Sequence, residues 1–376
     1  MKRAILHIGT EKTGTTSIQK FLYENRIKLG ASGMLFPASA GFISNQNLVV
    51  YGKQAPESDL APPSLDVNDA TELAAWKEKF AQEHCSEVLA FQERHEDSML
   101  IYSAEHLQSR LTTVPEIKRI ARLLRPLFDQ IEVVVYLRRQ DLYALSAHST
   151  SVRGGKQESF SFEAINAQGP YYNYRLLLEN WSEVFGAEAL QVRLFEKQRL
   201  IGNDVVSDFQ NVTSINTLKL DLVKPNSVNE ALSFTALCVL REFNKLTESD
   251  SRLLGYSKSD VRLYLLDAVQ NIQDSYGRVL PGKSSALAFY DRYKLDNQWI
   301  ADKWLNSAGF DENFDVYPEL ASEEPEVTDL DVQLDRLISK FSRSRDGHAS
   351  RKNFADDKGY ASRIGDALKH RLLRAG

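Results

Sequence analysis

The fold of this chain is decided by residues 7–19, which read His-Ile-Gly-Thr-Glu-Lys-Thr-Gly-Thr-Thr-Ser-Ile-Gln. A short apolar run, Ala4 to Ile8, leads into this segment, and beyond it Ile18, Phe21 and Leu22 recur at helical spacing. The pattern predicts a buried strand, a glycine- and threonine-rich loop and a helix. Glycines let a backbone wrap an anion, and the start of a helix supplies free amides and a positive dipole end. We therefore expect a phosphate-binding loop here.

The position of its lysine separates this loop from the P-loop of nucleotide triphosphatases. That pattern is a glycine, four residues, then Gly-Lys-Ser/Thr. Gly9 and Gly14 have the same separation, but Thr15 follows the second glycine, and the lysine lies inside the loop at Lys12. A P-loop kinase would also need an acidic magnesium ligand at the end of a later strand, where this chain has Arg138. The kinase remains the main alternative interpretation among enzymes.

Strands and helices alternate along much of the chain. Short apolar runs at Met99 to Tyr102, Ile131 to Leu137 and Leu190 to Phe195 are separated by helical patterns at Glu116 to Leu124 and Tyr174 to Phe185. Alternation of this kind predicts an α/β, P-loop-like three-layer fold in which helices flank a central parallel sheet. We expect one domain over residues 1–310, with a helical insertion at about 251–285. Residues 311–376 are predicted to form a C-terminal helix and a basic tail.

Bulk composition limits the kinds of partner. The 46 Lys and Arg against 51 Asp and Glu give a formal net charge of −5, which argues against a general nucleic-acid or membrane-surface binder. The two cysteines, Cys85 and Cys238, are far apart and lack metal-ligand spacing. No stretch approaches the roughly 20 apolar residues of a membrane span. We expect a cytoplasmic protein without a metal site, in which any anion site is a local arrangement.

Residues 7–19 resemble the 5′-phosphosulfate loop of sulfotransferases that use 3′-phosphoadenosine 5′-phosphosulfate (PAPS), particularly the bacterial carbohydrate-type members. The resemblance implies that Lys12 contacts the bridging and 5′-phosphate oxygens and that the loop residues Thr13, Gly14, Thr15 and Thr16 hold the phosphate. It also implies that PAPS is the sulfuryl donor and adenosine 3′,5′-bisphosphate the product, with no metal. The implied acceptor is a hydroxyl group, and the resemblance favours that of a saccharide, as in polysaccharide biosynthesis.

A second motif in that family grips the 3′-phosphate with an Arg at a strand end and a Ser eight residues later. This chain has Arg138 after the run ending at Leu137, and Ser146 at the required spacing. An arginine at the carboxyl end of a parallel strand offers a planar fork to a phosphate at the edge where such sheets bind ligands. The adjacent Arg139 is an alternative for the same role.

Transfer to a hydroxyl needs a group that removes its proton, and two candidates follow the run ending at Tyr102. Glu105 and His106 stand side by side, and the family contains members that use either residue type. Both are therefore candidate catalytic residues together with Lys12, and Glu105 is favoured because Ser-x-Glu after this run resembles the bacterial members. His148 could reach the acceptor, but a helix-surface role is favoured for it. A non-catalytic nucleotide- or carbohydrate-binding module, or a protein whose main role is assembly through its C-terminal helix, remains an alternative from a different functional class.

Overall fold

A computed structural model describes residues 1–166, 168–169, 171–218, 220–225, 232–246, 258–269, 281–321, 332 and 336–337. The strands are β1 (Lys2–His7), β2 (Met34–Leu35), β3 (Ser98–Ser103), β4 (Gln130–Leu137) and β5 (Leu190–Leu194). The helices include α1 (Thr15–Ala31), α2 (Gln46–Gly52), α3 (Ala70–Arg94), α4 (His106–Arg110), α5 (Val114–Leu124) and α6 (Gln140–Arg153). They continue with α7 (Tyr174–Phe185), α8 (Val205–Val212), α9 (Phe234–Lys245), α10 (Lys258–Ala268), α11 (Lys283–Asp291) and α12 (Lys294–Trp304). Short 3₁₀ turns occur at Arg125–Leu127, Ala187–Ala189, Lys197–Arg199, Ile201–Asn203 and Ile215–Leu218.

The five strands form one parallel sheet in the order β2-β3-β1-β4-β5. The predicted α/β fold with a central parallel sheet flanked by helices is therefore confirmed. The four predicted strands and the helices at Glu116 to Leu124 and Tyr174 to Phe185 are all present within about two residues of the predicted bounds. The strand β2 and the long helix α3 were not predicted.

Helices cover both faces of the sheet. On one face, α1 and α8 pack on β1, β3 and β4 in a core that includes Ile5, Val134, Phe21 and Phe209. Successive strand side chains point to opposite faces, so full burial of Val133 shows that the other face is covered as well. There α7 contacts β4 and β5 and packs against α5. Burial of side chains of this size contributes about 1.5–3 kcal/mol each, which fixes the position of the strand ends.

The described residues fall into two compact units. The first, Met1–Tyr143, Ile165–Val228 and Ala288–Glu312, contains the sheet. The described residues of the second lie within the ranges Ala144–Ala164, Asn229–Leu287 and Asn313–Gly376, and its own core joins the end of α6 to α9 and α10. Of the predicted insertion at 251–285, residues 251–257 and 270–280 lie outside the described residues, as does nearly all of the predicted C-terminal helix and tail. The division at residue 310 stays a prediction.

Candidate functional site

The loop after β1 remains attached to β4 as it leaves the sheet. The amide of Thr10 donates to the carbonyl of Tyr136 at 3.0 Å, and the amide of Tyr136 donates to the carbonyl of Gly9 at 2.8 Å. Gly9 has φ +103°, and a Cβ there would lie 3.1 Å from Cα of Glu105. Only glycine combines this conformation with so close an approach of the next strand end. The loop is thereby held between the carboxyl ends of β3 and β4.

Lys12 lies at the top of the loop in a left-handed backbone conformation, with φ 62°. The hydroxyl of Thr13 donates to the carbonyl of Thr10 at 2.6 Å and closes the turn around it. From the far side, Nη1 of Arg138 donates to the carbonyl of Lys12 at 3.1 Å. The structure thus brings together the two residues that the sequence predicts for the two phosphate groups of one nucleotide.

The start of α1 has the features of an anion-binding helix terminus. Its N-cap is Gly14 at φ 78° and ψ 18°, no described side chain caps it, and no acidic residue stands in the first turn. The amides of Ser17 and Ile18 donate to the carbonyl of Gly14, so the helix begins at once. Helix geometry leaves the earlier amides, such as that of Thr15, without intrahelical partners. The predicted strand, loop and helix are confirmed, and amides at this position favour an anion.

Gly14 is also required by packing. A Cβ there would lie 2.7 Å from Cγ1 of Val205 on α8 and 3.5 Å from the ring of Phe195. The α1 helix itself is fixed by fully buried Ile18 and Phe21, one helical turn apart. The position of the loop therefore depends on the core beneath it, and on glycine where the chain passes α8.

Arg138 and Arg139 have different surroundings. The guanidinium of Arg139 is buried and forms a paired hydrogen bond with both carboxylate oxygens of Asp141, at 2.8 and 2.9 Å, and a further bond to the carbonyl of Asp311. Arg138 is half-buried, and its guanidinium lies against the loop and 5.8 Å from the ring centre of Phe195. Of the two arginines, it is therefore Arg138 that faces the phosphate loop.

Glu105 lies beside the base of the loop, two residues after the end of β3. The amide of Ala104 donates to the carbonyl of His7 at 3.1 Å, which keeps this strand end against β1. The side-chain amide of Gln19, on the second turn of α1, donates to Oε2 of Glu105. This contact holds a half-buried carboxylate close to the helix terminus.

His106 points to a different partner. Its Nδ1 lies 3.4 Å from Oε1 of Glu11 and 3.3 Å from the hydroxyl of Ser109. The hydroxyl of Tyr171 donates to Oε2 of the same glutamate at 2.8 Å. The hydrogen bond to Glu11 raises the pKa of His106, and burial opposes the rise. Burial raises the pKa of Glu11, but hydrogen bonds from His106, Ser109 and Tyr171 outweigh it and lower that pKa to about 2.

The arrangement lies at the switch point of the sheet. The chain leaves β1 toward β2 and β3 on one side, and it leaves β4 toward β5 on the other. Open parallel sheets bind ligands in the crevice outside the carboxyl ends of two such strands. Lys12 follows one of them and Arg138 the other, so topology and motif indicate the same location.

Two further predicted residues, Ser146 and His148, belong to the second compact unit. Both lie on α6, where the ring of His148 contacts Phe160 at 5.4 Å between ring centres. Their roles stay predictions. His7 is fully buried between Tyr136 and Phe209, and burial lowers its pKa to about 3, so it is a core residue.

Three residues of this site were not predicted from the sequence. Gln19 belongs to the motif at residues 7–19 and lies one helical turn beyond the loop. Its position on the predicted helix could have indicated that its side chain lies near the site. Glu11 also stands in the motif, but its charge gave no indication of a partner. Tyr171 is 160 residues from Glu11, and nothing local in the sequence marks it.

Within the described ranges, no group of three or more His, Cys, Asp or Glu side chains is placed to hold a metal ion. None of the helices described is both long and apolar enough to cross a bilayer.

Known proteins share only limited similarity with this chain. No family model matches the chain. An uncharacterized protein of Archaeoglobus fulgidus is 27% identical over 114 residues, which is 30% of this chain and 30% of that protein. The match thus spans under a third of the relative's length. Two solved structures are similar at 14% identity: a sulfotransferase from Alicyclobacillus acidocaldarius, with a TM-score of 0.35 over 73% of this chain and 98% of that one, and the sulfotransferase domain of the Synechococcus PCC 7002 olefin synthase, with a TM-score of 0.31 over 78% and 94%. TM-scores this low do not establish a function.

Proposed function

We propose that the protein is a sulfotransferase that moves a sulfuryl group from PAPS to an acceptor hydroxyl. The observation that carries the proposal is the hydrogen bond from Arg138 to the carbonyl of Lys12, since it brings the arginine of the second predicted motif against the loop of the first. The site's composition fits a phosphate: a lysine and an arginine adjoin an uncapped helix terminus that has no acidic residue in its first turn. The resemblance of residues 7–19 supplies the identity of the donor.

Each group of residues has a separate task in this proposal. Lys12 and the amides of Thr13 to Thr16 hold the 5′-phosphosulfate, and Arg138 with Ser146 holds the 3′-phosphate. As the acceptor oxygen bonds to sulfur, the bond from sulfur to the phosphate oxygen breaks, and that oxygen keeps the electron pair. Lys12 stabilises the negative charge on it. The acceptor proton passes to a base, for which Glu105 and His106 are the candidates.

The acceptor is proposed to be a saccharide hydroxyl. This part of the proposal is supported by the resemblance of the sequence motif to those of carbohydrate-type sulfotransferases. An array of saccharide, phenol and lipid-linked acceptors, each assayed with labelled PAPS, would identify the class. Transfer to phenols alone would contradict the saccharide proposal while leaving sulfuryl transfer intact.

The decisive experiment measures PAPS-dependent sulfate transfer and the binding of adenosine 3′,5′-bisphosphate in Lys12→Ala. We expect turnover to fall by at least 10²-fold, because removing a group that stabilises the leaving oxygen typically costs that much. The matched control is Lys20→Ala, since Lys20 lies on α1 in an exposed pair with Glu24 at 3.8 Å. That variant should keep wild-type rates.

The same experiment separates the alternatives. Phosphoryl transfer from magnesium ATP, with no transfer from PAPS, would indicate a P-loop kinase. Nucleotide binding without turnover on any acceptor would indicate a binding module. Full activity in Lys12→Ala would contradict the proposed role of the loop.

A further inference from the structure

Glu11 stands within the phosphate loop, directly before Lys12. A carboxylate at this position would oppose the binding of a phosphate dianion unless its charge were compensated. Its side chain is only 22% exposed, and besides Ser109, which lies on the same helix as His106, it contacts His106 and Tyr171 from distant parts of the same unit. Oε1 faces Nδ1 of His106 at 3.4 Å, and Oε2 accepts a hydrogen bond from the hydroxyl of Tyr171 at 2.8 Å. These two contacts give the carboxylate both a compensating charge and a fixed position.

The contacts matter because the next residue is strained. Lys12 has φ 62°, a conformation that residues with a Cβ adopt at a cost and keep only where their surroundings hold it. Its carbonyl is held by Arg138, which donates to the oxygen at 3.1 Å. On the following residue, the hydroxyl of Thr13 donates to Thr10. The contacts of the Glu11 side chain constrain the residue before Lys12. Together with the bonds made by Arg138 and Thr13, they fix the backbone of the lysine.

We propose that Glu11 is a positioning residue: His106, as an imidazolium, and Tyr171 hold its carboxylate and so fix the loop over residues 9–14 in the conformation that binds phosphate. The clamp of Glu11, His106 and Tyr171 is a property of the free protein. Only its consequence for nucleotide affinity rests on the proposed function. His106 is then a positioning residue as well.

The charges around the clamp support a protonated His106. The hydrogen bond to Glu11 raises the pKa of His106, and burial lowers it. The negative charges of Glu105 and Glu11 raise this pKa further, and the positive charge of Arg110 lowers it. Tyr171 is buried beside Glu11, and burial first and then that carboxylate raise its pKa, so it stays a donor. A histidine with a raised pKa keeps its charge at and above its ordinary pKa and loses it as the pH rises through the raised value. The clamp should therefore weaken on the alkaline side.

The first test uses the free protein and needs no nucleotide. Amide hydrogen exchange over residues 9–17 should become faster by roughly 10-fold in Glu11→Ala, since a charged hydrogen-bonded pair is lost. Glu24→Ala is the matched control, because Glu24 lies on α1 in an exposed pair with Lys20. It should leave exchange over the loop unchanged. A ring-proton titration of His106 should show its pKa falling in Glu11→Gln.

The second test measures nucleotide affinity, for which a purely electrostatic role of Glu11 and the clamp predict changes of opposite sign. If Glu11 acts only through its charge, Glu11→Ala and Glu11→Gln should bind adenosine 3′,5′-bisphosphate more tightly, because an anion has left the site. The clamp predicts the reverse order, with Glu11→Ala weaker by roughly 10-fold and Glu11→Gln between it and the wild type. Calorimetry from about pH 6 to about pH 9 should show wild-type affinity declining with pH, and His106→Gln should remove most of that decline.

The outcomes distinguish failure of the clamp from failure of the proposed function. If the wild type fails to bind the bisphosphate while loop exchange still responds to Glu11→Ala, the proposed function is wrong and the clamp stands. If the wild type binds it, and Glu11→Ala binds equally or more tightly with unchanged exchange, the clamp is refuted and the function stands. Glu11→Gln, which keeps the shape of the side chain, distinguishes the same two outcomes if Glu11→Ala does not fold.

Discussion

Arg138→Ala should weaken the binding of different nucleotides unequally, and the inequality measures what this arginine recognises. The guanidinium donates to the carbonyl of Lys12 at 3.1 Å, and this interaction would be lost for every nucleotide. Its proposed contact with the 3′-phosphate would be lost only for nucleotides that carry that group. Comparing adenosine 3′,5′-bisphosphate with adenosine 5′-phosphate therefore separates the two contributions.

The expected sizes follow from the kinds of bond. A hydrogen bond to a neutral carbonyl contributes about 1 kcal/mol net, and one between charged groups about 1.5–3 kcal/mol. Adenosine 5′-phosphate should thus lose about fivefold in affinity. The bisphosphate should lose roughly 3 kcal/mol, or about two orders of magnitude. Arg138→Lys should recover part of the difference, because it keeps the charge without the planar fork.

Titration calorimetry of both nucleotides is the assay. Arg175→Ala is a suitable control, since Arg175 is a partly exposed arginine of the same unit, paired with Glu179 at 2.9 Å. Its affinities should match those of the wild type. Equal losses for the two nucleotides in Arg138→Ala would show that Arg138 acts only through the loop and does not read the 3′-phosphate.

Two further substitutions test the chemistry and the packing of the loop. Glu105→Gln keeps the side-chain shape beside Gln19 but cannot take a proton, so turnover should fall by about 10²- to 10⁴-fold while bisphosphate affinity stays within about twofold; unchanged turnover would remove Glu105 as the base. Gly14→Ala should lower the free energy of unfolding in urea by roughly 2–4 kcal/mol. The new methyl group would clash with Val205, and the backbone angle φ of 78° is unfavourable for a residue with a Cβ. Adding Val205→Ala should remove the steric part of this loss, although the substitution has a destabilising cavity cost of its own. A double-mutant cycle that shows no coupling energy between positions 14 and 205 would contradict the clash.

Much of the sheet could be predicted because its signals are local. Apolar runs bounded by glycines or charged residues mark β1, β3, β4 and β5, and the helical period marks α5 and α7. β2 has only the two residues Met34–Leu35, too few to show a pattern. α3 did carry a signal, because its buried residues Leu73, Phe80, His84, Val88 and Phe91 recur at helical spacing. Its many exposed charged residues concealed that period.

The site was less predictable because its decisive contacts are not local. The sequence favoured Arg138 for its spacing to Ser146 but left the adjacent Arg139 as an alternative, because β4 ends at Leu137 and spacing does not fix which side chain faces the loop. The choice depends on the carbonyl of Asp311, 172 residues along the chain, which together with the neighbouring Asp141 holds Arg139 in the interior. Tyr171 lies 160 residues from Glu11 and reaches it only because the folded chain returns to the crevice. Such pairings depend on tertiary structure, which spacing alone does not contain.

Glu105 and His106 are neighbours in sequence, but their contacts suit them to different tasks. A carboxylate that accepts one bond from Gln19 still has lone pairs with which to take a proton. An imidazole whose Nδ1 faces Glu11 is favoured in its protonated form, and an imidazolium has no lone pair to offer. We therefore expect Glu105 to act as the base and His106 to secure the loop. In a pH-rate profile, Glu105→Gln should lower the rate at every pH, whereas His106→Gln should mainly remove the alkaline decline in kcat/KM. A large, pH-independent loss of kcat in His106→Gln, with Glu105→Gln active, would reverse the two assignments.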